Sequence, residues 1–125
     1  MDPKDRPPDI KERTFDFAVK IVCLCQELSE RSRVSRALSY QLLGAGTSIG
    51  ANVEEAQAGQ SRADFISKYA ISLKEARETI YWLRLLEASG QFSGEPLQDL
   101  RREADEIARI IGAIIVRAKK SAGRK

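Results

Sequence analysis

The sequence predicts an all-α protein, an antiparallel up-down-up-down four-helix bundle, and three observations carry that prediction. Three of the four prolines (Pro3, Pro7, Pro8) fall in the first eight residues, so from Asp9 to Glu95 no proline interrupts a helix. Apolar residues recur at three- and four-residue spacing in four successive blocks, each bounded by capping or glycine signals. No stretch alternates with period two for long enough to propose a strand. Four amphipathic helices with short connections fold back on one another because each must bury one stripe.

Helix 1 is expected to begin between Asp9 and Thr14, where Asp9 and Glu12 are spaced as a capping box, and to run to about Glu30. Its buried stripe reads Ala18, Ile21, Val22, Cys25 and Leu28. Helix 2 is expected after Ser35 as N-cap and continues to about Ala58, with Leu38, Leu42, Ala45, Ile49, Val53 and Ala56 inside. Gly59 closes it, and Ser61 with Asp64 opens helix 3. The core face of helix 3 reads Phe65, Tyr69, Leu73, Ala76, Ile80 and Leu83, and Ser89-Gly90 stops it. Pro96 sits in the first turn of helix 4, whose stripe is Leu97, Leu100, Ala104, Ile107, Ile111, Ile114 and Ala118. The chain therefore divides into a flexible N-terminal arm (1–12), the bundle (13–119) and a basic disordered tail (120–125).

Length and composition agree with one domain. The chain has 125 residues, enough to bury a core. With aromatics at only 6%, that core is built from Leu, Ile, Val and Ala. No apolar run approaches membrane-spanning length, and the charged, proline-rich N-terminus does not read as a secretory signal, so a cytoplasmic location is expected and no membrane contact. Cys23 and Cys25 lie two apart on different sides of a helix, where a disulfide between them is disfavoured.

Two features exceed what a solitary bundle needs. Ile71, Trp82 and Leu86 lie roughly 180° from Ile66 and Leu73 on a helical projection, a second apolar stripe on helix 3. Helix 2 carries GAGTSIGA at 44–51, and each interior glycine costs about 1 kcal/mol against alanine. Gly44 with Ser48, and Gly46 with Gly50, provide small residues where another backbone comes close. That backbone belongs either to the same bundle or to another subunit. Ile71, Trp82, Leu86, Gly44 and Ser48 are accordingly the expected oligomer interface.

The inventory for catalysis is nearly empty. The chain has no histidine, which removes most hydrolytic, metal and general-base designs, and no catalytic residue, metal site or cofactor is expected. The GAGTSIG stretch lacks the Lys-Ser/Thr of a phosphate-binding loop and follows no strand. Glu54, Glu55, Glu75 and Glu78 form the one carboxylate cluster, best explained as a solvated face or one paired with Arg77 and Arg84. Asn52 flanks the core stripe of helix 2, so it is expected to hydrogen-bond across helices to a carboxylate on helix 3, with Glu75 the structural polar partner.

Charge is unevenly placed. Residues 1–96 hold 13 Lys/Arg and 14 Asp/Glu, whereas residues 97–125 hold 8 and 4, so the net charge of +3 comes from the last segment. Arg102, Arg109 and Lys120 fall within about 20° of one another on a helical projection. With Arg117 and Lys119 they form the expected nucleic-acid-binding set, against a plain reading as a solvated outer face.

The string from Thr47 to Leu86 resembles the bacterial four-helix-bundle family of 23S rRNA intervening-sequence proteins. SIGAN at 48–52, EAQAGQSRADF at 55–65 and KEARETIYWL at 74–83 carry the resemblance, and RTFDFAVKIVCLC at 13–25 fits the family's first helix. The resemblance implies a homopentameric barrel of bundles. It also implies similarity to the accessory variability proteins of diversity-generating retroelements, which bind RNA and a reverse transcriptase through a positively charged surface. One departure is Gly44, where family members often carry a basic residue. The expected partners are thus further copies of the chain, RNA or DNA, and a reverse transcriptase. The competing function is a purely protein-binding oligomeric scaffold.

Overall fold

The computed structural model describes residues 9–59 and 61–122. Four α-helices follow in order, α1 (Ile10–Ser29), α2 (Arg33–Gln57), α3 (Arg62–Ala88) and α4 (Glu95–Ala122), and there is no strand among the described residues. They pack as a bundle in which α1 lies on α2, α2 on α3 and α3 on α4, with α1 and α4 the most loosely joined pair.

The start signals work by satisfying backbone N–H groups that no preceding turn can accept. The Asp9 carboxylate accepts from the Glu12 amide at 2.8 Å, and the Ser61 hydroxyl from the Asp64 amide at 3.1 Å. In α2 the cap is Ser32, not Ser35: its hydroxyl accepts from the Ser35 amide at 3.0 Å. Ser35 is instead buried one turn inside, and its hydroxyl donates to the Gln91 side chain at 2.8 Å. Arg31 donates to the Gln91 carbonyl and lies over the Phe92 ring at 5.0 Å. The α1–α2 turn and the α3–α4 loop are thereby clipped together. That loop turns at Gly90 and Gly94, both at positive φ where a side chain would be strained.

The outer ends differ slightly from the expected division of the chain. α1 begins at Ile10, inside the span expected to be an arm, and α4 continues to Ala122, beyond the expected edge of the bundle at Lys119. Lys119 and Lys120 are therefore helical. The remainder of the expected arm and tail, residues 1–8 and 123–125, lies outside the described residues.

The buried stripes are close to those expected in α2 and α4 and shifted in α1 and α3. In α1 the core line is Thr14, Phe17, Ile21, Leu24, Cys25 and Leu28, with Val22 exposed. In α3 the innermost residues are Tyr69, Ser72, Ala76, Thr79, Leu83 and Leu86. Phe65, Leu73 and Ile80 pack beside that line, partly buried. Ser72 and Thr79 are fully buried on that line beside Tyr69, Leu83 and Leu86, and their hydroxyls are satisfied by carbonyls, Ser72 by Ile49 of α2 at 2.8 Å and Thr79 by Glu75 at 2.8 Å.

This shift corrects the expected second stripe. Leu86 is 0% exposed and belongs to the core, and Trp82 is partly buried against it. Only Ile71, at 40%, remains open to solvent. The small residues of α2 divide likewise. A Cβ on Gly46 would stand 2.8 Å from Ile21 Cγ2, and one on Gly50 would stand 3.2 Å from the Thr14 carbonyl oxygen. Both glycines serve the contact of α2 with α1 inside the bundle. Gly44 is different, since a Cβ there would meet nothing within 4 Å.

These contacts set opposite signs for two glycine substitutions. Gly46→Val should destabilise by about 1–3 kcal/mol through overpacking against Ile21. Gly44→Ala should stabilise by up to about 1 kcal/mol through helix propensity alone. Urea midpoints of the two variants on opposite sides of the parent are the expected result. A Gly46→Val midpoint at or above the parent's would contradict the packing.

Candidate nucleic-acid interface

The cations of α4 fall into two groups. Arg102 pairs with Asp99 and also lies 3.7 Å from Glu95, and Arg109 pairs with Glu106 one turn back. Arg101 pairs with Glu87 of α3, which also accepts from Gln98. Each of these guanidiniums thus has a carboxylate beside it. Arg117, Lys119 and Lys120 are exposed and have no carboxylate partner among the described residues. The five residues expected as one basic stripe are thus two paired arginines and three unpaired cations, the latter confined to the last two turns.

The unpaired group has a neighbour that the sequence reading missed. At the same end of the molecule, the α2–α3 turn and the last turns of α4 enclose an open cleft of about 630 Å³. Arg62 and Arg117 line it together with Gln57, Ser61 and Ser121, over an apolar floor that includes Phe65 and Ile114. Among the described residues no carboxylate lines it. The Asp64 carboxylate lies beside Gly59, at the edge of the cleft. Arg62 has no carboxylate partner among the described residues either. Arg117 borders a second, shallower hollow as well, shared with Lys120, Val116 and Gly112. In sequence Arg62 sits in SRADF, read as a helix start, and nothing there signals a meeting with Arg117 fifty-five positions on.

The expected pairing of Arg77 and Arg84 with the glutamate cluster is not seen among the described residues. Both are exposed and, with Lys74 and an exposed Tyr81, occupy the outer side of α3. Glu54 pairs across to Lys11 of α1 at 3.6 Å instead. Arg13 of α1 grips Glu103 of α4 through two nitrogens, at 2.6 and 3.0 Å, and this hydrogen-bonded pairing raises the Arg13 pKa further.

Asn52 does not reach α3. Its amide donates to the Ser48 carbonyl one turn back at 2.9 Å, the helix's own backbone offering the acceptor. Ser48 is thus partly buried beside Asn52, not presented as a bare interface position. Glu75 is partly buried, and its pKa is raised by desolvation first and by the neighbouring Glu78 second. The Trp82 indole N–H is buried without a partner. The two cysteines are both free, Cys23 exposed and Cys25 buried with its thiol pushed up to about 11 by burial. Cys25 donates weakly to the Ser39 carbonyl. Among the described residues no group of His, Cys, Asp or Glu is arranged to hold a metal ion, and no helix is long and apolar enough to cross a membrane.

The raised pKa of Glu75 has a definite consequence for stability. The folded state holds that proton at pH values where the unfolded chain has released it, so stability falls as pH rises above the ordinary glutamate range. Glu75→Gln should therefore melt higher than the parent at neutral pH, with the gap closing near pH 4. A gap that is constant across that range would contradict the desolvation.

Comparison with known proteins accords with this architecture. The chain is similar to a crystal structure of a protein of unknown function from the S23 ribosomal protein family of Bacteroides thetaiotaomicron VPI-5482. The two share 42% sequence identity and superpose with a TM-score of 0.80, over 86% of this chain and 98% of that one. No curated protein matches. The family model described as 23S rRNA-intervening sequence protein matches residues 8–113, and the chain belongs to that family.

Proposed function

We propose that the protein is a non-enzymatic, oligomeric accessory protein that binds RNA through the cationic end of its bundle. The observation that carries this reading is the sorting of cations. Arg102 and Arg109 already hold carboxylates, whereas Arg62, Arg117, Lys119 and Lys120 stand unpaired among the described residues. A phosphate approaching the first pair meets a carboxylate at the same guanidinium, and one approaching the second group does not among the described residues. The order of contacts, Thr14 with Gly50 and Ile21 with Gly46, supports the antiparallel topology that gathers the α2–α3 turn and the end of α4 at one pole. Four cations per subunit give modest affinity, and assembly of several copies, a pentamer in this reading, multiplies it.

A second surface favours protein contact. Phe15 at 64% and Val22 on α1, with Tyr40 at 78% and Leu43 on α2, are large apolar side chains left in solvent. Val22, Tyr40 and Leu43 border one groove between the two helices. This face, and not the α3 stripe, is the better seat for another copy of the chain. If the cationic end binds nothing, a protein-binding scaffold using this face is the alternative. A reverse-transcriptase-like enzyme is the protein partner this reading brings with it.

Anisotropy titration with a structured RNA tests the RNA-binding reading. Affinity should fall with salt, with a logarithmic slope of about 0.7 per phosphate for unpaired strands. Neutralising Arg117, Lys119 and Lys120 to Gln should cost about tenfold or more and flatten that slope. Arg102→Gln with Arg109→Gln should change little, and light scattering should give a multiple of 13.9 kDa. Equal losses from the two sets of substitutions, or no binding at about 50 mM salt, would overturn the assignment.

A further inference from the structure

We propose that the cleft between the α2–α3 turn and the end of α4 is a pocket for one phosphorylated nucleotide, the base against Phe65 and the phosphate between Arg62 and Arg117. The proposal rests on the RNA-binding reading and narrows it to an unstacked, single-stranded nucleotide.

Size and chemistry agree. The cleft's volume of about 630 Å³ falls within the range of roughly 300–1,000 Å³ that small-molecule sites occupy. Its two guanidiniums lack carboxylate partners among the described residues, so their planar donor edges are available for a phosphate. Phe65 lies on one side, its ring tilted on that of Tyr69 at a centroid separation of 4.7 Å, which fixes the ring without covering the cleft. A base stacked on an aromatic ring is the ordinary way in which proteins hold unpaired RNA.

The remaining polar groups suit a base edge and a sugar. Gln57 donates its amide to the Tyr69 hydroxyl at 2.9 Å, which leaves its carbonyl oxygen as an acceptor at the cleft. The Ser61 oxygen accepts from the Asp64 amide, and its own hydroxyl proton is left to donate. Ser121 adds a second hydroxyl on the α4 side. Among the described residues no carboxylate lines the cleft, and the Asp64 carboxylate lies at its edge beside Gly59.

Calorimetric titration of the full chain with adenosine 5′-monophosphate tests the pocket, with adenosine and inorganic phosphate as separate probes. The nucleotide should bind more tightly than either fragment. Arg62→Gln and Arg117→Gln should each weaken it by about tenfold. Phe65→Leu should weaken the nucleotide and adenosine but leave inorganic phosphate unchanged. The two arginines are exposed, so their variants keep the test sound if Phe65→Leu unfolds. Phosphate binding as tightly as the nucleotide would overturn the base-stacking half, and nucleotide affinity indifferent to both arginine variants would overturn the site. RNA binding without nucleotide binding would remove the pocket alone. Nucleotide binding without RNA binding would keep the pocket and remove the broader reading.

Discussion

At Gly46 and Gly50 α2 packs so tightly on α1 that even a Cβ would crowd its neighbours, and the rest of the bundle is arranged around that contact. Ile21 and Thr14 fill the space that a Cβ would need. With α2 held this close, its inner line of Leu42, Ala45, Ile49, Val53 and Ala56 meets the remaining core. The Ile49 carbonyl is then near enough to accept from Ser72 of α3. Small residues on both helices let the backbones approach, Tyr69, Leu83 and Leu86 fill the same core line, and Val22, Tyr40 and Leu43 are left outside.

Electrostatics divides the surface in a second way. Exposed pairs such as Arg109 with Glu106 add little to stability, about 0.3–0.5 kcal/mol. Their larger effect is on what the surface attracts, because a paired arginine presents a muted field. The carboxylates of α4 lie in its first half, at Glu95, Asp99, Glu103, Asp105 and Glu106, so its cations are matched there and unmatched beyond Gly112 among the described residues. The same end receives Arg62 from the α2–α3 turn. An anionic partner therefore meets four cations without a carboxylate partner among the described residues at one pole of the bundle.

Much of the fold was legible because periodicity and caps are local. Asp9, Ser61 and Pro96 mark helix starts from sequence, and the stripe of α4 differs from expectation where Ile115 replaces Ile114 as the more buried residue and where Ala118 is only partly buried. The failures were of a different kind. Ser35 was read as the cap of α2 because serine suits both a cap and a small buried position, and only the contact with Gln91 decides between them. The α3 face was misplaced because reading apolar residues alone overlooks Ser72 and Thr79, which are buried through carbonyl hydrogen bonds. The candidate site was half legible: Arg117, Lys119 and Lys120 came from charge counting along one helix. Arg62 joins them only through tertiary folding, and the carboxylate partners of Arg102 and Arg109 emerge from side-chain geometry.

Photo-crosslinking with 4-thiouridine-substituted RNA, followed by mass-spectrometric mapping of the attached peptides, is the most direct test of where RNA meets this bundle. Crosslinks should concentrate in residues 57–65 and 114–121, the two segments that frame the cationic cleft. Crosslinks confined to the outer row of Lys74, Arg77, Tyr81 and Arg84 on α3, or to the apolar face of α1 and α2, would contradict the account.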